Sequence, residues 1–426
     1  MEHIVEITAL AFGGSGVGRI GGKVVFVPFT APGDRVRVRL AVEKKGFSEG
    51  VVTEILEPSP LRTEPPCPVF GVCGGCDWQH IPYPAQVEWK ERILVETLKR
   101  IGRVAPRVLD PPEPSPLPYN YRSRTGFKVD GPRWGFFESK SHRVVDIEEC
   151  PIADPLINTS FGAIKRALAG KDTGLYALDL GASEKEGAAV ASFHVYRDTR
   201  FDWVGALAGA ALKGFEVRLS PLKKGKGKRI LAEQDSRLAY RAAGVEFTAG
   251  VEVFSQVNRP QNRRLVERVV EYAGLRGTET VIDLFSGAGN MTLPLARGAK
   301  KAVGVESSAE AVKQARDNAL TNAVSNAVFV RANAPDWVNG NLKKLEQGGP
   351  LVVILDPPRS GETTVSGILG RLKPERIVYV SCSPPTLARD LSLLTGNGYS
   401  VFRAGLFDMF PQTYHIESIV GLELKR

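Results

Sequence analysis

Residues 280–290 read TVIDLFSGAGN, a short apolar strand running into a turn that holds two glycines. Glycine at a strand-to-helix turn lets a ligand approach the backbone closely, although two glycines alone would do no more than close the turn. The flanking sequence supplies the context. Toward the C-terminus KAVGVE, AVFVRA, LVVILD and RIVYVSC follow as further apolar strands, and SVFRAGLF and HIESIVGLELK close the series. Toward the N-terminus, RPQNRRLVERVVEYAGL, from Arg259, is an amphipathic helix that leads in. Short apolar strands separated by helices specify a parallel sheet with helices on both faces. Asp283, Glu306 and Asp356 then fall at the carboxyl ends of strands, where open α/β sheets bind ligands. Glu306, at the tip of the second strand, can accept both hydroxyls of a ribose. A dinucleotide site would show G-x-G-x-x-G, which SGAGNM does not match.

The rest of the chain reads differently. Residues 4–57 alternate in strand fashion through VEITAL, KVVFVPF, DRVRVRLAVE and EGVVTEIL, split by glycine turns. Several short strands in so few residues predict an OB-like barrel over 1–58. A proline- and cysteine-rich stretch follows, then a helix over 84–102. DPPEPSPLP, 110–118, holds too many prolines for helix or central strand and reads as a stiff connector. Residues 119–253 are mostly strand, with helices near 158–169 and 203–212. Three domains are expected: the barrel at 1–58, a mostly β central domain at 59–258 and the α/β domain at 259–426.

With 426 residues, 43% hydrophobic and 24% charged, this is the composition of a soluble multidomain protein. No apolar run has bilayer length and MEHIVEITAL lacks the plan of a signal peptide, so a cytoplasmic monomer without membrane contact is expected. The net charge of +9 suits a polyanionic partner. LKKGKGKR, 222–229, concentrates positive charge and reads equally as a solvated hairpin tip or a phosphate-contacting loop.

Five cysteines in a chain without a signal peptide argue for metal binding or catalysis rather than disulfides. Cys67, Cys73, Cys76 and Cys150 provide four soft ligands, which suit an iron–sulfur cluster or a structural zinc; spacing does not choose. Cys382 stands apart. It ends a strand beside the ligand crevice, before a Pro-Pro turn that opens a helix, where backbone N–H groups can stabilise a thiolate. A lone buried cysteine would otherwise be packing.

The D-L-F-x-G-x-G-N pattern resembles motif I of class I (Rossmann-like) methyltransferases, whose ligand is S-adenosyl-L-methionine. Asp356-Pro357-Pro358-Arg359 resembles their motif IV, with Arg359 where amino-group enzymes carry an aromatic residue. VSCSPPTLARD, the later HIES and Phe254-Ser255-Gln256-Val257-Asn258 together resemble the RNA 5-methyluridine methyltransferase family. That resemblance implies Cys382 as nucleophile and Glu417 as base. It implies cofactor contacts at Gln256, Phe285, Asn290, Glu306, Asn333 and Asp356. It also implies a TRAM-type barrel and a [4Fe–4S] cluster on Cys67, Cys73, Cys76 and Cys150, with zinc the weaker alternative. The partner it implies is RNA, 23S ribosomal RNA ahead of transfer RNA. Tyr119, Tyr121, Arg122, Arg124 and Lys128 form a basic, aromatic stretch that could hold it, or could be ordinary surface. Two rivals make different demands. An amino-group methyltransferase needs no cysteine, and a non-catalytic iron–sulfur RNA-binding protein incorporates no methyl group.

Overall fold

The computed structural model describes residues 2–220 and 228–425. Most of the basic segment 222–229 lies outside the described residues; its last two, Lys228 and Arg229, begin the strand Lys228–Glu233.

The α/β domain forms as expected. Its strands are β1 (Thr280–Leu284), β2 (Lys301–Glu306), β3 (Ala327–Arg331), β4 (Leu351–Leu355), β5 (Arg376–Ser381), β6 (Tyr399–Phe407) and β7 (Glu417–Leu424). They lie in the spatial order 3-2-1-4-5-7-6. Alternate residues of each strand feed two cores: Ile282 and Leu284 face helices on one side, Val281 those on the other. β1 to β5 are parallel, but β7 runs antiparallel to both β5 and β6, so the sheet is mixed. The reason is the connection. Parallel neighbours need a crossover, usually helical, whereas residues 408–416 join β6 to β7 without one.

Three pieces of the 59–258 stretch pack with this sheet. The helix Tyr83–Thr97, continued by a wider π-helical turn at Leu98–Gly102, buries Ile93, Leu94 and Leu98 in the same core as Leu387 and Leu391. Gly102 permits the close approach, because a Cβ there would lie 3.1 Å from the Ala388 carbonyl oxygen. Just before the connector, Val108–Leu109 form an edge strand beside β6. The hairpin Arg237–Ala242/Val245–Gly250 packs Phe247 against Val266 and Val312. What remains between is a seven-stranded sheet from Arg124 to Glu233, with the helix Pro155–Leu168 on it. The helix at Trp203 ends at Leu207, short of 212, because the chain turns into the strand Leu212–Leu219.

The N-terminal six strands, between Glu2 and Glu57, enclose Val5, Ile7, Val25, Val27, Val36 and Val38 as an OB-like barrel. Asp34 fastens the barrel to the linker. Its buried carboxylate accepts from the Ala31 and Ser59 N–H groups at 2.6 and 2.8 Å and from both ends of the Arg62 guanidinium at 2.8 Å. Burial pushes its pKa up, but these partners outweigh burial and hold it below the usual carboxylate range. A carboxyl lowered on folding contributes stability above its unfolded pKa, about 4, and loses it as pH falls through the folded value. Asp34→Asn is therefore expected to lower the thermal midpoint at pH 7, at a cost of about 3 kcal/mol. The difference from wild type shrinks below pH 4, which scanning calorimetry across pH checks.

Candidate active site

The turn after β1 is held against β2 by the Phe285 and Ser286 N–H groups, which donate to the Val305 carbonyl at 2.9 and 3.1 Å. Phe285 takes a left-handed φ of 69° there. The turn also reaches Glu306: Gly287 N–H donates to one carboxylate oxygen at 3.1 Å and Ser308 N–H to the other at 2.7 Å. A fixed carboxylate thus stands at the tip of β2. Asp283 does not line the cleft over the strand ends. It is buried, bonded to the Thr292 hydroxyl, and burial with the neighbouring Asp356 charge moves its pKa up to about 7.

A cleft of about 1500 Å3 opens over the carboxyl ends of the strands. Gln256, Phe285, Glu306 and Asp356 line it, together with Cys382 and Glu417. Asn290 and Asn333 are placed otherwise. The Asn290 amide forms a reciprocal pair with Asn262, 2.9 Å each way, and Asn333 caps the helix Ala334–Glu346. In the F-x-Q-x-N stretch, Asn258 is fully buried and donates to the Ser115 hydroxyl and the Met409 carbonyl.

The register of the sheet brings Glu417 to Cys382. Ser381 of β5 pairs with Ser418 of β7, so one step beyond this antiparallel pair Cys382 stands opposite Glu417. Burial pushes the Cys382 thiol up to about 12, the Glu417 and Asp356 carboxylates add to the shift and Arg359 opposes it. Burial likewise raises Asp356, to about 7, and lifts Glu417 well above the carboxylate range; Asp356 reinforces the Glu417 shift and Arg359 counters it. A carboxyl so raised is a stronger base toward a carbon-bound proton once ionised. Phe410 and His415, packed edge-on with ring centres 5.7 Å apart, form another wall of the cleft. Burial, then the charges of Arg359, Lys90 and Arg122, lower the His415 pKa to about 4. The imidazole is neutral at physiological pH, with Arg359 3.4 Å from its Nε2. Phe410 had no signal in the sequence beyond lying near the HIES segment.

Cys67, Cys73 and Cys76, close in sequence, and the distant Cys150 line one small cavity of about 150 Å3. Burial and the neighbouring thiols push Cys73 up to about 11 and Cys76 to about 12. Among the described residues no group of three His, Cys, Asp or Glu side chains is arranged to hold a single metal ion as it stands.

The stretch expected to hold RNA is corrected in part. Only Arg124 and Lys128 lie in the strand Arg124–Asp130. Tyr121 is core, its hydroxyl donating to the Pro411 carbonyl at 3.0 Å. Arg124 gives its guanidinium to the Val251 and Val253 carbonyls, and Arg122 lines the cysteine cavity. A burial pattern set by the central domain, not local composition, decides this. No helix among the described residues is long and apolar enough to cross a membrane.

This strand order, with a fixed acid at the tip of β2 and a cleft over the strand ends, defines a class I, S-adenosyl-L-methionine-dependent methyltransferase domain. The tRNA (Uracil-5-)-methyltransferase family model matches residues 82–425, and the TRAM domain of tRNA (uracil(54)-C(5))-methyltransferase matches residues 3–61. The chain belongs to this family of RNA uracil-C5 methyltransferases. It is 35% identical to the 23S rRNA (uracil(1939)-C(5))-methyltransferase of Alkalilimnicola ehrlichii, over 97% of this chain and 95% of that one. It is also 35% identical to an uncharacterized RNA methyltransferase of Thermosynechococcus vestitus, over 98% and 97%. The crystal structure of Pyrococcus abyssi tRNA (uracil-54, C5)-methyltransferase with S-adenosyl-L-homocysteine superposes with a TM-score of 0.78 at 27% identity, covering 98% of this chain and 99% of that one. Family membership sets aside both rivals, the amino-group methyltransferase and the non-catalytic RNA-binding protein.

Proposed function

We propose that the chain methylates C5 of a uridine in 23S ribosomal RNA through a covalent adduct on Cys382, with Glu417 as the base. The observation that carries this reading is the pairing of β5 with β7, which sets Cys382 and Glu417 side by side in the cleft that also holds Glu306. S-adenosyl-L-methionine supplies the methyl group, and we assign its binding to Gln256, Phe285, Glu306 and Asp356, an assignment supported by their lining the cleft.

Uracil C5 is too weak a nucleophile to take a methyl group unaided. Cys382 adds as thiolate to C6, and the C5–C6 π pair moves onto O4 as an enolate. C5 then bonds to the methyl carbon as the carbon–sulfur bond breaks and S-adenosylhomocysteine leaves. Glu417 takes the C5 proton, the double bond re-forms and the Cys382 thiolate is expelled. The base must leave the helical stack to be reached from both faces.

Ribosomal RNA is supported by the near full-length similarity to 23S enzymes. Transfer RNA is the second reading, favoured by the likeness to the Pyrococcus abyssi enzyme. Methylation of unmodified total RNA with labelled cofactor, followed by mapping of the label, decides between them. RNA carrying 5-fluorouridine at the mapped site is expected to form a covalent adduct stable to denaturation, because fluorine at C5 leaves no proton to remove. Release of free fluorinated RNA with no adduct would sink the mechanism.

Four thiols around one cavity suit a [4Fe–4S] cluster held by Cys67, Cys73, Cys76 and Cys150. Its chemistry here is structural, since methyl transfer moves no net electrons to the enzyme.

A further inference from the structure

Residues 408–416 run from the end of β6 to the base at the start of β7, and they carry two walls of the cleft, Phe410 and His415. The loop has no regular secondary structure, so its backbone groups need partners from elsewhere. A single element supplies the central ones. From the helix Tyr83–Thr97, Gln86 meets Gln412 twice: the Gln412 N–H donates to Gln86 Oε1 at 2.9 Å, and Gln86 Nε2 donates to Gln412 Oε1 at 2.9 Å. One turn further on, Lys90 Nζ donates to Asp408 at 2.7 Å and to the Phe410 carbonyl at 3.0 Å. The remaining Gln412 carbonyl accepts the N–H groups of Asp77 and Trp78, the residues after Cys76, at 3.0 Å each.

Both glutamines are buried, at 0% and 2% exposure, where an unpaired amide is costly. Gln412 also sits at φ 70°, a left-handed conformation that a non-glycine residue keeps only when its surroundings over-determine it. Gln86 supplies two of the bonds that over-determine it, beside those to Asp77, Trp78 and the Pro118 carbonyl. None of these atoms faces the cleft: neither Gln86 nor Gln412 lines it.

We propose that Gln86 and Gln412 are positioning residues for proton removal: their amide pair fixes the loop whose far end sets the Glu417 carboxyl against C5 of the target base. The inference rests on Glu417 being the base. It separates the two halves of the reaction, because Cys382 follows β5, Phe285, Glu306 and Asp356 stand at the ends of β1, β2 and β4, and Gln256 precedes the helix at Arg259, and the side chains of the pair hydrogen-bond to none of these. Loosening the loop leaves thiol addition and methyl transfer in place and slows only the step that frees the enzyme. A misplacement of about 1 Å in a reacting group costs on the order of 100-fold in rate.

The test uses the full chain with ordinary uridine RNA and compares Gln86→Leu, Gln412→Ala, Glu417→Gln and wild type. Three quantities are read: kcat, S-adenosylmethionine affinity by calorimetry, and the ratio of covalent protein–RNA adduct on denaturing gels to released methylated RNA. That ratio counts only enzyme that has reacted, so partial unfolding of one variant does not distort it. The expected result for both glutamine variants is a kcat lowered about ten- to 100-fold, an unchanged cofactor affinity and an adduct ratio raised toward that of Glu417→Gln. Unchanged kcat, cofactor affinity lost in step with kcat, or a lowered kcat without extra adduct would each overturn the proposal. If Glu417→Gln itself holds no adduct, the assignment of the base has failed; if it holds adduct and the glutamine variants do not, the positioning role has failed.

Discussion

Cys382→Ala is expected to abolish methyl incorporation into RNA, with a loss on the order of 10,000-fold or more, while cofactor binding stays within twofold of wild type. The size of the effect follows from the chemistry of uracil. Without a nucleophile on C6 the ring has no enolate, and C5 offers the methyl group too little electron density. Among the described residues no other thiol lines the cleft. The other four cysteines line a separate cavity, and the buried Ser381 hydroxyl, beside Cys382, is occupied: it donates to the Ser383 carbonyl at 3.3 Å and accepts from the Ser383 N–H at 3.2 Å. Cofactor binding survives because Cys382 stands just past the end of β5, while the Glu306 carboxylate is fixed by the β1 turn and the start of the helix after β2. Filter-binding of labelled methyl on RNA measures the first quantity and calorimetry the second. Cys382→Ser is expected to fail as well, since a hydroxyl is far weaker as a nucleophile than the thiolate it replaces. A variant retaining more than about a hundredth of wild-type activity would mean that the methyl group moves without a covalent step.

Much of the α/β domain was legible because its strands are buried on both faces and therefore read as uninterrupted apolar runs between helices. The direction of β7 was not, because strand direction depends on the connection and the 408–416 loop carries no periodic signal. That parts of the 59–258 stretch pack with the sheet was not legible for a related reason. The helix Tyr83–Thr97 has charged residues on most of its surface, and Lys90 reads as a solvent-facing lysine, yet its side chain is fully buried against Asp408. A buried ion pair joins residues remote in sequence, and neither member announces its partner. At the site, residue types with few other uses could be picked out: a cysteine at a strand end, an acid at the tip of β2 and four cysteines apart from the fifth. Asn290 and Asn333 show the limit. Both lie beside a ligand-binding turn in sequence, but an asparagine there can bond a neighbouring amide or cap a helix as readily as it can face the cleft, and the backbone decides which. Tyr121 shows it again, since aromatic residues beside arginines suit an RNA surface and a core equally well.

Glu417→Gln is expected to stop turnover about 1,000-fold below wild type while leaving the first half of the reaction running. The amide keeps the size and shape of the side chain in a fully enclosed place, where 3% of the residue is exposed, so the β5–β7 pairing is preserved. What is lost is the capacity to accept the C5 proton. The variant therefore adds Cys382 to C6, transfers one methyl group per enzyme and stops with the methylated base still bonded to sulfur. A single-turnover experiment reads this as a burst of labelled methyl, near one per enzyme, that migrates with the protein on a denaturing gel instead of with free RNA. The substitution also removes a carboxyl that raises the Cys382 pKa, so the thiolate forms more readily and the burst is no slower than in wild type. His415, held neutral beside Arg359, is a further titratable group of the cleft, and it offers the competing outcome. Were the imidazole the base, Glu417→Gln would release methylated RNA at a rate that falls as pH drops through about 4, and no adduct would accumulate at neutral pH. Accumulation of the adduct at pH 7, with release restored in neither direction of pH, identifies the carboxylate as the group that ends the reaction.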